Sequence, residues 1–269
     1  MNSPIKYFGG KNGFANKIME YFPLNYENMN YIEPFCGSAA MLFHKKISPI
    51  EIINDLDKNI YSLFKVLIDK ELFLEFKNLC DLTPYSEDLL KEYSKELKNE
   101  LSILDRAYKF FYCNRTSYNG VGGFSTSGVI RRNMSKSVSD YLSAIDGLYE
   151  IHNRLSKVII HNIDAIKLIE KWDKPNTFMY CDSPYANETR TSGKYNHDMT
   201  DDQHDKYLEV LLKIQNVKIL VSGYRCERYS ILEKNGWKSV DMEIKTQNNN
   251  RVGKSKIETL WFNYEKNSN

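Results

Sequence analysis

Four consecutive residues carry groups that could hold a flat ring beside a hydrogen-bond acceptor. They are Asp182, Ser183, Pro184 and Tyr185, and the apolar residues 178–181 before them predict a short buried strand. A carboxylate, a rigid turn and an aromatic ring are therefore expected at the carboxyl end of a strand, where open α/β sheets bind ligands. This combination favours chemistry on a nucleobase. The simpler alternative is an ordinary turn that contains Pro and Tyr.

A second group of candidate binding residues follows an earlier apolar run. Glu33, Phe35 and Gly37 lie where a strand is predicted to turn into a helix, and Gly37 would let the backbone approach a ligand closely. Asp55 ends the next apolar run, where an acid can accept hydrogen bonds from ribose hydroxyls. The sequence has no Gly-x-Gly-x-x-Gly and no basic cluster for a pyrophosphate, so the pair suits a nucleoside without phosphates. A plain turn at Gly37 and a helix cap at Asp55 are equally good interpretations.

The segment from Tyr7 to Lys11 ends in Gly-Gly-Lys, as a phosphate-binding loop does. A P-loop needs an earlier Gly and a Ser or Thr after the Lys, whereas Asn12 follows here. We therefore expect a turn containing Gly10 that closes over a small ligand with an aromatic ring and a Lys. A disordered amino terminus is the alternative, and the aromatic content of the segment argues against it.

Charge is distributed unevenly along the middle of the chain. Residues 69–105 contain ten acidic and five basic residues, whereas residues 106–136 contain six basic residues and no acidic one. Tyr118 and Asn119 lie among these cations, and such a mixture suits nucleic acid, because cations meet phosphates while aromatic and amide groups reach bases. A solvated charged face is the alternative. The six basic residues are Arg106, Lys109, Arg115, Arg131, Arg132 and Lys136.

These groups need a scaffold, and the hydrophobic pattern predicts one. Short apolar runs alternate with helical spacing in both end regions of the chain, whereas the middle shows helical spacing alone. The predicted architecture is an α/β sheet domain formed by residues 1–69 and 156–269, interrupted by a mostly helical insertion at residues 70–155. Ser38 is expected to be the N-cap of an early helix, and a late helix is expected over residues 225–234.

Composition places the chain in a broad class. The 269 residues have a net charge of +2 and 42% hydrophobic content, with no stretch apolar enough to span a membrane and no signal-peptide pattern. The five Cys residues are scattered, which predicts free thiols in a reducing cytoplasm. No Cys or His pair has the spacing of a zinc site, so no metal is expected.

Taken in order, the motifs match a known family. The chain resembles the Dam-type (D12 class, alpha group) DNA adenine-N6 methyltransferases, many of which are carried by phages and restriction systems. Each motif alone is unspecific, but the combination is specific and covers nearly the whole chain. The matching segments are residues 7–11, 33–37, 54–55, 114–120, 182–185 and 256–264.

The resemblance implies a Rossmann-like methyltransferase sheet and S-adenosylmethionine as the methyl donor. By similarity, Asp55 would hold the donor's ribose hydroxyls and Asp164 would sit near its adenine. The residues implied to line or close the donor site are Tyr7, Gly10, Lys11, Glu33, Phe35, Gly37, Asp55 and Asp164.

The resemblance also implies that the helical insertion is the target recognition domain for double-stranded DNA. Arg115, Tyr118 and Asn119 match residues that approach or insert into the duplex. Two further Arg residues and one Lys add a basic surface for phosphates. These are Arg131, Arg132 and Lys136.

Catalysis would follow from the tetrad at residues 182–185. A base inside a duplex cannot be reached, so the target adenine must be flipped out of the stack. Tyr185 would stack on the flipped ring, while the Asp182 carboxylate and the Ser183 carbonyl accept the two amino hydrogens. No Cys nucleophile is needed for this direct transfer.

The sequence departs from the family pattern at two positions. Ser183 replaces the first Pro of the usual Asp-Pro-Pro-Tyr, which keeps the carbonyl but loses rigidity. Members that read GATC carry an Arg three residues after the Tyr-Asn-Gly, where this chain has Gly123. An Arg can read guanine with two hydrogen bonds and a Gly cannot, so GATC recognition lacks this support.

Other functions stay open on the sequence alone. Similar tetrads occur in methyltransferases that act on RNA adenine or on protein glutamine, and the basic insertion argues against a protein substrate. A catalytically weak or silent DNA-binding homologue is a further alternative. A hydrolase is disfavoured because Gly-x-Ser-x-Gly is absent. We expect a monomer, and a cognate restriction enzyme as partner is left open.

Overall fold

A computed structural model describes residues 1–6, 11–185, 199–244 and 256–266 of the chain. Its contacts divide the chain into two compact units. The first, mainly helical unit comprises Met1–Gly13, Gly37–His44 and Lys58–Ile160. The second unit, which contains most of the sheet, comprises Phe14–Cys36, Lys45–Asp57 and His161–Asn269.

The main sheet has seven strands in the order β5-β2-β1-β6-β7-β9-β8. Strand β1 runs parallel to β2 and to β6, β6 runs parallel to β7, and β9 is antiparallel to both β7 and β8. The predicted α/β, Rossmann-like fold is therefore confirmed. The strands are β1 (Asn30–Glu33), β2 (Glu51–Asn54), β5 (Val158–His161), β6 (Thr177–Cys181), β7 (Lys218–Gly223), β8 (Lys238–Ile244) and β9 (Lys256–Phe262). A separate two-stranded sheet pairs β3 (Ile130–Arg131) with β4 (Met134–Ser135).

The central strands form because their residues are apolar on both faces. All five residues of β6 are buried, as expected of a parallel strand covered by helices on both sides. Helices α9 (Ala165–Lys171), α10 (Asp201–Lys213) and α11 (Ser230–Lys234) contribute to the same core. Helix α10 begins at a capping box in which Thr200 and Gln203 exchange side-chain and backbone hydrogen bonds.

The helical unit is built around aromatic side chains. Phe76, Phe111, Tyr112 and Tyr141 are fully buried, and their rings meet mostly edge to face. Ser or Asp residues cap three of the helices. The helices of this unit are α2 (Ala40–His44), α3 (Lys58–Ile68), α4 (Lys70–Leu82), α5 (Glu87–Glu96), α6 (Ile103–Thr116), α7 (Lys136–Asp146) and α8 (Leu148–Leu155), and the sheet unit begins with α1 (Ala15–Met19).

Two predictions about helix starts are wrong. Ser38 is not the N-cap of α2, because Ala39, directly before the helix, has a φ of +54° and turns the chain there. The buried Ser38 carbonyl instead accepts a hydrogen bond from the Ser3 hydroxyl. The late helix begins at Ser230 rather than at residue 225, since the Glu227 carbonyl accepts hydrogen bonds from both the amide and the hydroxyl of Ser230 and closes a turn.

No helix in the described part of the chain is long and apolar enough to cross a membrane.

Candidate active site

The carboxyl ends of three neighbouring parallel strands bring the predicted acids to one edge of the sheet. Ile32 of β1 lies opposite Ile52 of β2 and Met179 of β6, so the three strands end at the same edge. Glu33 is the last residue of β1, Asp55 follows β2 and Asp182 follows β6. This is the edge at which open α/β sheets bind ligands.

Asp182 is held by a hydroxyl from the neighbouring strand. The buried Ser222 of β7 donates a hydrogen bond from Oγ to Asp182 Oδ1 at 3.0 Å. Tyr180 Oη lies 2.8 Å from Ser222 Oγ and donates to it, since the single Ser222 proton is already engaged. The carboxylate of Asp182 therefore has a fixed orientation, through two residues that the sequence patterns did not indicate.

Tyr185 is fixed at its hydroxyl and at its ring. Its Oη donates to the two oxygens of Glu258, at 3.2 and 3.3 Å, and Glu258 is buried in β9. The ring of Tyr224 lies 4.4 Å from the Tyr185 ring, centroid to centroid, at an interplanar angle of 33°. A base stacked on Tyr185 would therefore use the ring face opposite Tyr224.

Ser183 takes part in a buried polar chain. Its Oγ lies 3.2 Å from Tyr229 Oη, and Tyr229 Oη lies 3.1 Å from Nδ1 of His204 on α10. All three side chains are buried. Only the Ser183 carbonyl was expected to act on the base, and that role stays a prediction.

The two Cys residues nearest the predicted site are buried thiols. Burial raises the pKa of Cys181 to about 12, and the adjacent Asp182 carboxylate adds to the rise. Burial also raises the pKa of Cys36 well above its usual range, with further contributions from Asp55 and Glu33. Both thiols are protonated at neutral pH, so neither is an activated nucleophile.

Asn54 holds two loops of the predicted donor site together. Its buried Nδ2 donates to the Pro34 carbonyl at 2.9 Å and to the Ile163 carbonyl at 3.0 Å. Its Oδ1 accepts from the Ile163 amide at 3.0 Å. One amide at the end of β2 therefore fixes the loop after β1 and the loop after β5.

The other predicted donor-site residues of the sheet unit already have structural partners. The buried Glu33 accepts a hydrogen bond from Tyr31 Oη at 2.9 Å, and the Phe35 ring packs edge-on against Tyr207. Asp55 Oδ1 accepts from the Asp57 amide at 2.9 Å. Asp164 caps α9 by accepting from the amides of Ile166 and Lys167. The Asp55 bond closes a turn ahead of α3, which begins at Lys58, and a donor role of all four residues stays a prediction.

Lys11 and Gly37 belong to the helical unit. Lys11 is buried at the start of a short 3₁₀-helix. Gly37 has a φ of +49°, in the left-handed region that favours glycine. Tyr7 and Gly10, the other two predicted donor-site residues, lie outside the described residues.

Within the helical unit, Asn114 ties the amino-terminal segment to the predicted recognition turn. Its Oδ1 accepts from the Lys6 amide at 2.8 Å and its Nδ2 donates to the Lys6 carbonyl at 2.7 Å. Gly120 lies against this pair with a φ of +83°, and a Cβ there would be 2.7 Å from the Lys6 carbonyl oxygen. Only glycine therefore fits the close approach of the two segments.

The predicted recognition residues around α6 differ in exposure. Tyr118 is 66% exposed, and Asn119, with a φ of +52°, is exposed beside it. Arg115 is half-buried, and its Nη2 donates to the Ser3 carbonyl at 3.4 Å. Burial lowers the pKa of Arg115 to about 10. Tyr118 and Asn119 are thus open to solvent, whereas much of the Arg115 side chain is buried inside the unit.

The basic residues of the β3–β4 hairpin, and Lys136 at the start of α7, lie on the surface and have partners on α7. Arg131 Nη1 lies 3.0 Å from Asp140 Oδ1, and Lys136 pairs with the same carboxylate. Arg132 donates to the Ser143 hydroxyl at 3.1 Å. Residues 106–136 contain no acid, but Asp140, one turn further along α7, lies beside Arg131 and Lys136.

A Rossmann-like sheet that fixes an acid and an aromatic ring at its carboxyl edge is an α/β fold with a candidate site where such sheets bind nucleotides. The profile of the D12 class N6 adenine-specific DNA methyltransferases matches residues 7–247, and the chain belongs to this family. Its activity is therefore methylation of adenine at N6 in DNA, as the sequence motifs predicted.

Individual relatives agree with this assignment. The Type II methyltransferase M.MjaIII of Methanocaldococcus jannaschii is 25% identical over 245 residues, which cover 81% of this chain and 83% of the relative. The DNA adenine methylase of Escherichia coli (strain K12) is 21% identical over 191 residues, 68% of this chain and 64% of the relative. The DNA N-6-adenine-methyltransferase of Escherichia phage P1 is 24% identical over 231 residues, 82% of this chain and 29% of the relative.

Proposed function

We propose that this methyltransferase transfers a methyl group from S-adenosylmethionine directly to N6 of an adenine flipped out of duplex DNA. The observation that carries the proposal is the pair of fixed groups at the end of β6. Ser222 holds the Asp182 carboxylate, and Glu258 holds Tyr185 three residues further on. A preoriented acceptor beside an aromatic ring is what an exocyclic amino group on a planar base requires.

The residues at the sheet edge fit the donor. Carboxylates at the ends of β1 and β2 suit ribose hydroxyls and a positively charged ligand, and the lack of a pyrophosphate loop suits a nucleoside. The donor would supply an activated methyl group on a sulfonium. The residues proposed to hold it are Tyr7, Gly10, Lys11, Glu33, Phe35, Gly37, Asp55 and Asp164.

In the proposed mechanism, the protein positions the amino group and does no covalent chemistry of its own. Tyr185 stacks on the flipped adenine. The Asp182 carboxylate and the Ser183 carbonyl accept the two amino hydrogens, which directs the nitrogen lone pair towards the methyl group. Because Asp182 is already hydrogen-bonded in place, little reorganisation is needed when the base arrives.

We propose that the surface around Tyr118 and the β3–β4 hairpin bind the duplex. Tyr118 and Asn119 are exposed enough to enter the base stack, and Arg131, Arg132 and Lys136 can meet phosphates. Gly123 offers no side chain for reading guanine, so the proposed recognition sequence does not depend on an Arg at this position.

We also propose the domain boundaries, the oligomeric state and the cellular location of the protein. We keep residues 1–69 and 156–269 as the catalytic domain and residues 70–155 as the recognition insertion. We expect a monomer that works in the cytoplasm, where its DNA substrate is found. A restriction enzyme as functional partner is suggested by the Type II names of relatives such as that of M. jannaschii.

A methylation assay tests the proposal. The protein is incubated with tritium-labelled S-adenosylmethionine and a random-sequence duplex, and N6-methyladenine is then mapped at base resolution. We expect label at one short sequence, and Asp182→Ala should abolish transfer while duplex binding persists. Full activity of that variant would contradict the catalytic assignment.

The same assay separates the alternatives. Duplex binding without any transfer by the wild-type protein would indicate a silent DNA-binding homologue. Faster transfer to the matching single-stranded RNA than to the duplex would indicate an RNA substrate.

A further inference from the structure

Ser183 occupies the position at which the family's usual tetrad has its first Pro, and its hydroxyl is not left to solvent. The side chain is 4% exposed, and Oγ lies 3.2 Å from Tyr229 Oη. A buried hydroxyl without a partner would cost roughly 1–3 kcal/mol. The bond to Tyr229 therefore both satisfies Ser183 and ties it to a second element of the fold.

Tyr229 is itself held at a fixed position. Its ring packs on the Trp261 ring of β9, 5.3 Å between centroids, and its hydroxyl lies 3.1 Å from Nδ1 of the fully buried His204. Burial raises the pKa of Tyr229 well above its usual range, so the phenol stays protonated and can donate one hydrogen bond while accepting another. Ser183, just after β6, is thus linked to Tyr229, just before α11, and through Tyr229 to His204 on α10.

A Pro and a Ser at position 183 restrict the backbone of the tetrad by different means. A Pro ring locks φ near −65° covalently, whereas a Ser leaves φ of residue 183 free and only the following Pro184 restricts its ψ. Free rotation at residue 183 would also turn its carbonyl, which the proposed mechanism aims at the adenine amino group. A hydrogen bond between a fixed Tyr and Ser183 Oγ limits that rotation.

We propose that Tyr229, supported by His204, is a positioning residue whose bond to Ser183 takes the place of the missing Pro ring. This inference rests on the proposed function, because the carbonyl that it positions acts on the adenine. It assigns a catalytic consequence to two residues that lie outside the tetrad and outside the donor motifs.

A double-mutant cycle tests the inference. Tyr229→Phe removes the hydroxyl and keeps the ring, and it is made in the wild-type background and in a Ser183→Pro background. Single-turnover methylation rates are measured at saturating donor and duplex, with dissociation constants for both measured separately. The quantity compared is the rate loss that Tyr229→Phe causes in each background.

We expect Tyr229→Phe to slow the wild-type enzyme about tenfold, as the loss of one buried hydrogen bond would, and to leave both dissociation constants within about twofold. In the Ser183→Pro background, where the ring fixes the backbone, the loss should shrink to less than about twofold. Equal losses in both backgrounds would overturn the inference, because the Tyr229 hydroxyl would then act independently of residue 183.

Ser183→Ala provides a second background in case the Pro variant does not fold. It removes the hydroxyl without supplying a ring, so Tyr229→Phe should again have little further effect. A Ser183→Ala enzyme as fast as the wild type would overturn the inference, since the hydroxyl would then position nothing. Urea unfolding of each variant separates a change of stability from a change of rate.

His204 is tested by rescue. His204→Gln retains a side-chain amide that can bond Tyr229, and it should lose less rate than His204→Leu, which cannot. Equal losses would remove His204 from the proposal. If the wild-type protein transfers no methyl to adenine at all, the proposed function fails; an active wild type with equal losses in the cycle refutes only the positioning role.

Discussion

The carboxyl edge of the sheet and the β3–β4 hairpin contain similar polar groups in opposite environments. At the edge, Asp182, Ser183 and Asn54 bond to buried partners from other segments of the chain. At the hairpin, Arg131 and the adjacent Lys136 of α7 are about half exposed and share one surface carboxylate, Asp140. The first arrangement fixes each group, while the second leaves the cations able to change partners.

This difference determines how each region can be altered. A buried hydrogen bond to a charged group contributes about 1.5–3 kcal/mol, whereas a surface ion pair contributes about 0–1 kcal/mol. Substitutions at the sheet edge should therefore have steep effects that salt does not change. Substitutions on the hairpin should have graded effects that fade as salt screens the charges.

The largest effect is expected for Asp182→Asn. The amide keeps the shape and can still accept from Ser222, but it lacks the negative charge aimed at the adenine amino group. We expect the single-turnover rate to fall roughly 10²–10³-fold, with the duplex dissociation constant unchanged within about twofold. Asp202→Asn, at an exposed position on α10, is the matched control. A similar rate loss in the control would show that the effect is not local.

The second-largest effect is expected for Asn54→Ala, and it should appear mainly as a loss of stability. The change removes three hydrogen bonds from the loops at Pro34 and Ile163. We expect the free energy of unfolding to fall by about 2–3 kcal/mol in urea titrations, and the donor dissociation constant to rise. Asn99→Ala, at an exposed position of the helical unit, is the control and should change stability by less than about 0.5 kcal/mol. Equal losses would mean that Asn54 has no special role.

Tyr185→Phe should have a moderate effect. The ring remains available for stacking, while the hydrogen bond to Glu258 is lost. If losing this hydrogen bond raises the activation free energy by about 1.5 kcal/mol, the rate at saturating substrate falls roughly tenfold. Tyr149→Phe, on the surface of the helical unit, tests for a general effect of removing a phenol hydroxyl. An unchanged rate in Tyr185→Phe would show that Glu258 does not position the ring.

Arg132→Ala should weaken duplex binding through charge alone. Arg132 bonds to the Ser143 hydroxyl, so its charge is available to a phosphate. We expect the slope of log affinity against log salt to become shallower by about 1. Lys98→Ala, in the acid-rich stretch of the same unit, should leave the slope unchanged. A slope change in the Lys98 variant instead would place the DNA surface elsewhere.

Asp140→Asn should have the smallest effect and the opposite sign. Removing the carboxylate leaves Arg131 and Lys136 without their shared acid, so duplex affinity should rise about two- to fivefold at low salt. At high salt the gain should disappear, because exposed charges are screened. Weaker binding would mean that Asp140 orders the hairpin instead of competing with DNA. Fluorescence anisotropy of a labelled duplex measures both regimes.

Local sequence patterns were sufficient to predict the strands of the sheet and the order of the motifs. The runs before Asp182 and Asp55 form β6 and β2, since a short apolar segment that ends in polar residues has few other stable arrangements. Helix starts were less predictable. Ala39 and Ser230 show why: a positive φ and a local turn decide the boundary, and neither leaves a clear pattern in the sequence.

By itself, the sequence determined the alternation of strands and helices, the acids and the aromatic ring at strand ends, and the family to which the chain belongs. These are local or ordered features, and each can be read within a few residues. The partners of the tetrad could not be read in this way. Ser222, Tyr229 and Glu258 lie about 40 to 75 positions from the residues that they hold. Only the packing of β7, β9 and α11 around β6 brings these groups within hydrogen-bond distance. Such bonds stabilise the fold only after the strands have paired and buried the groups.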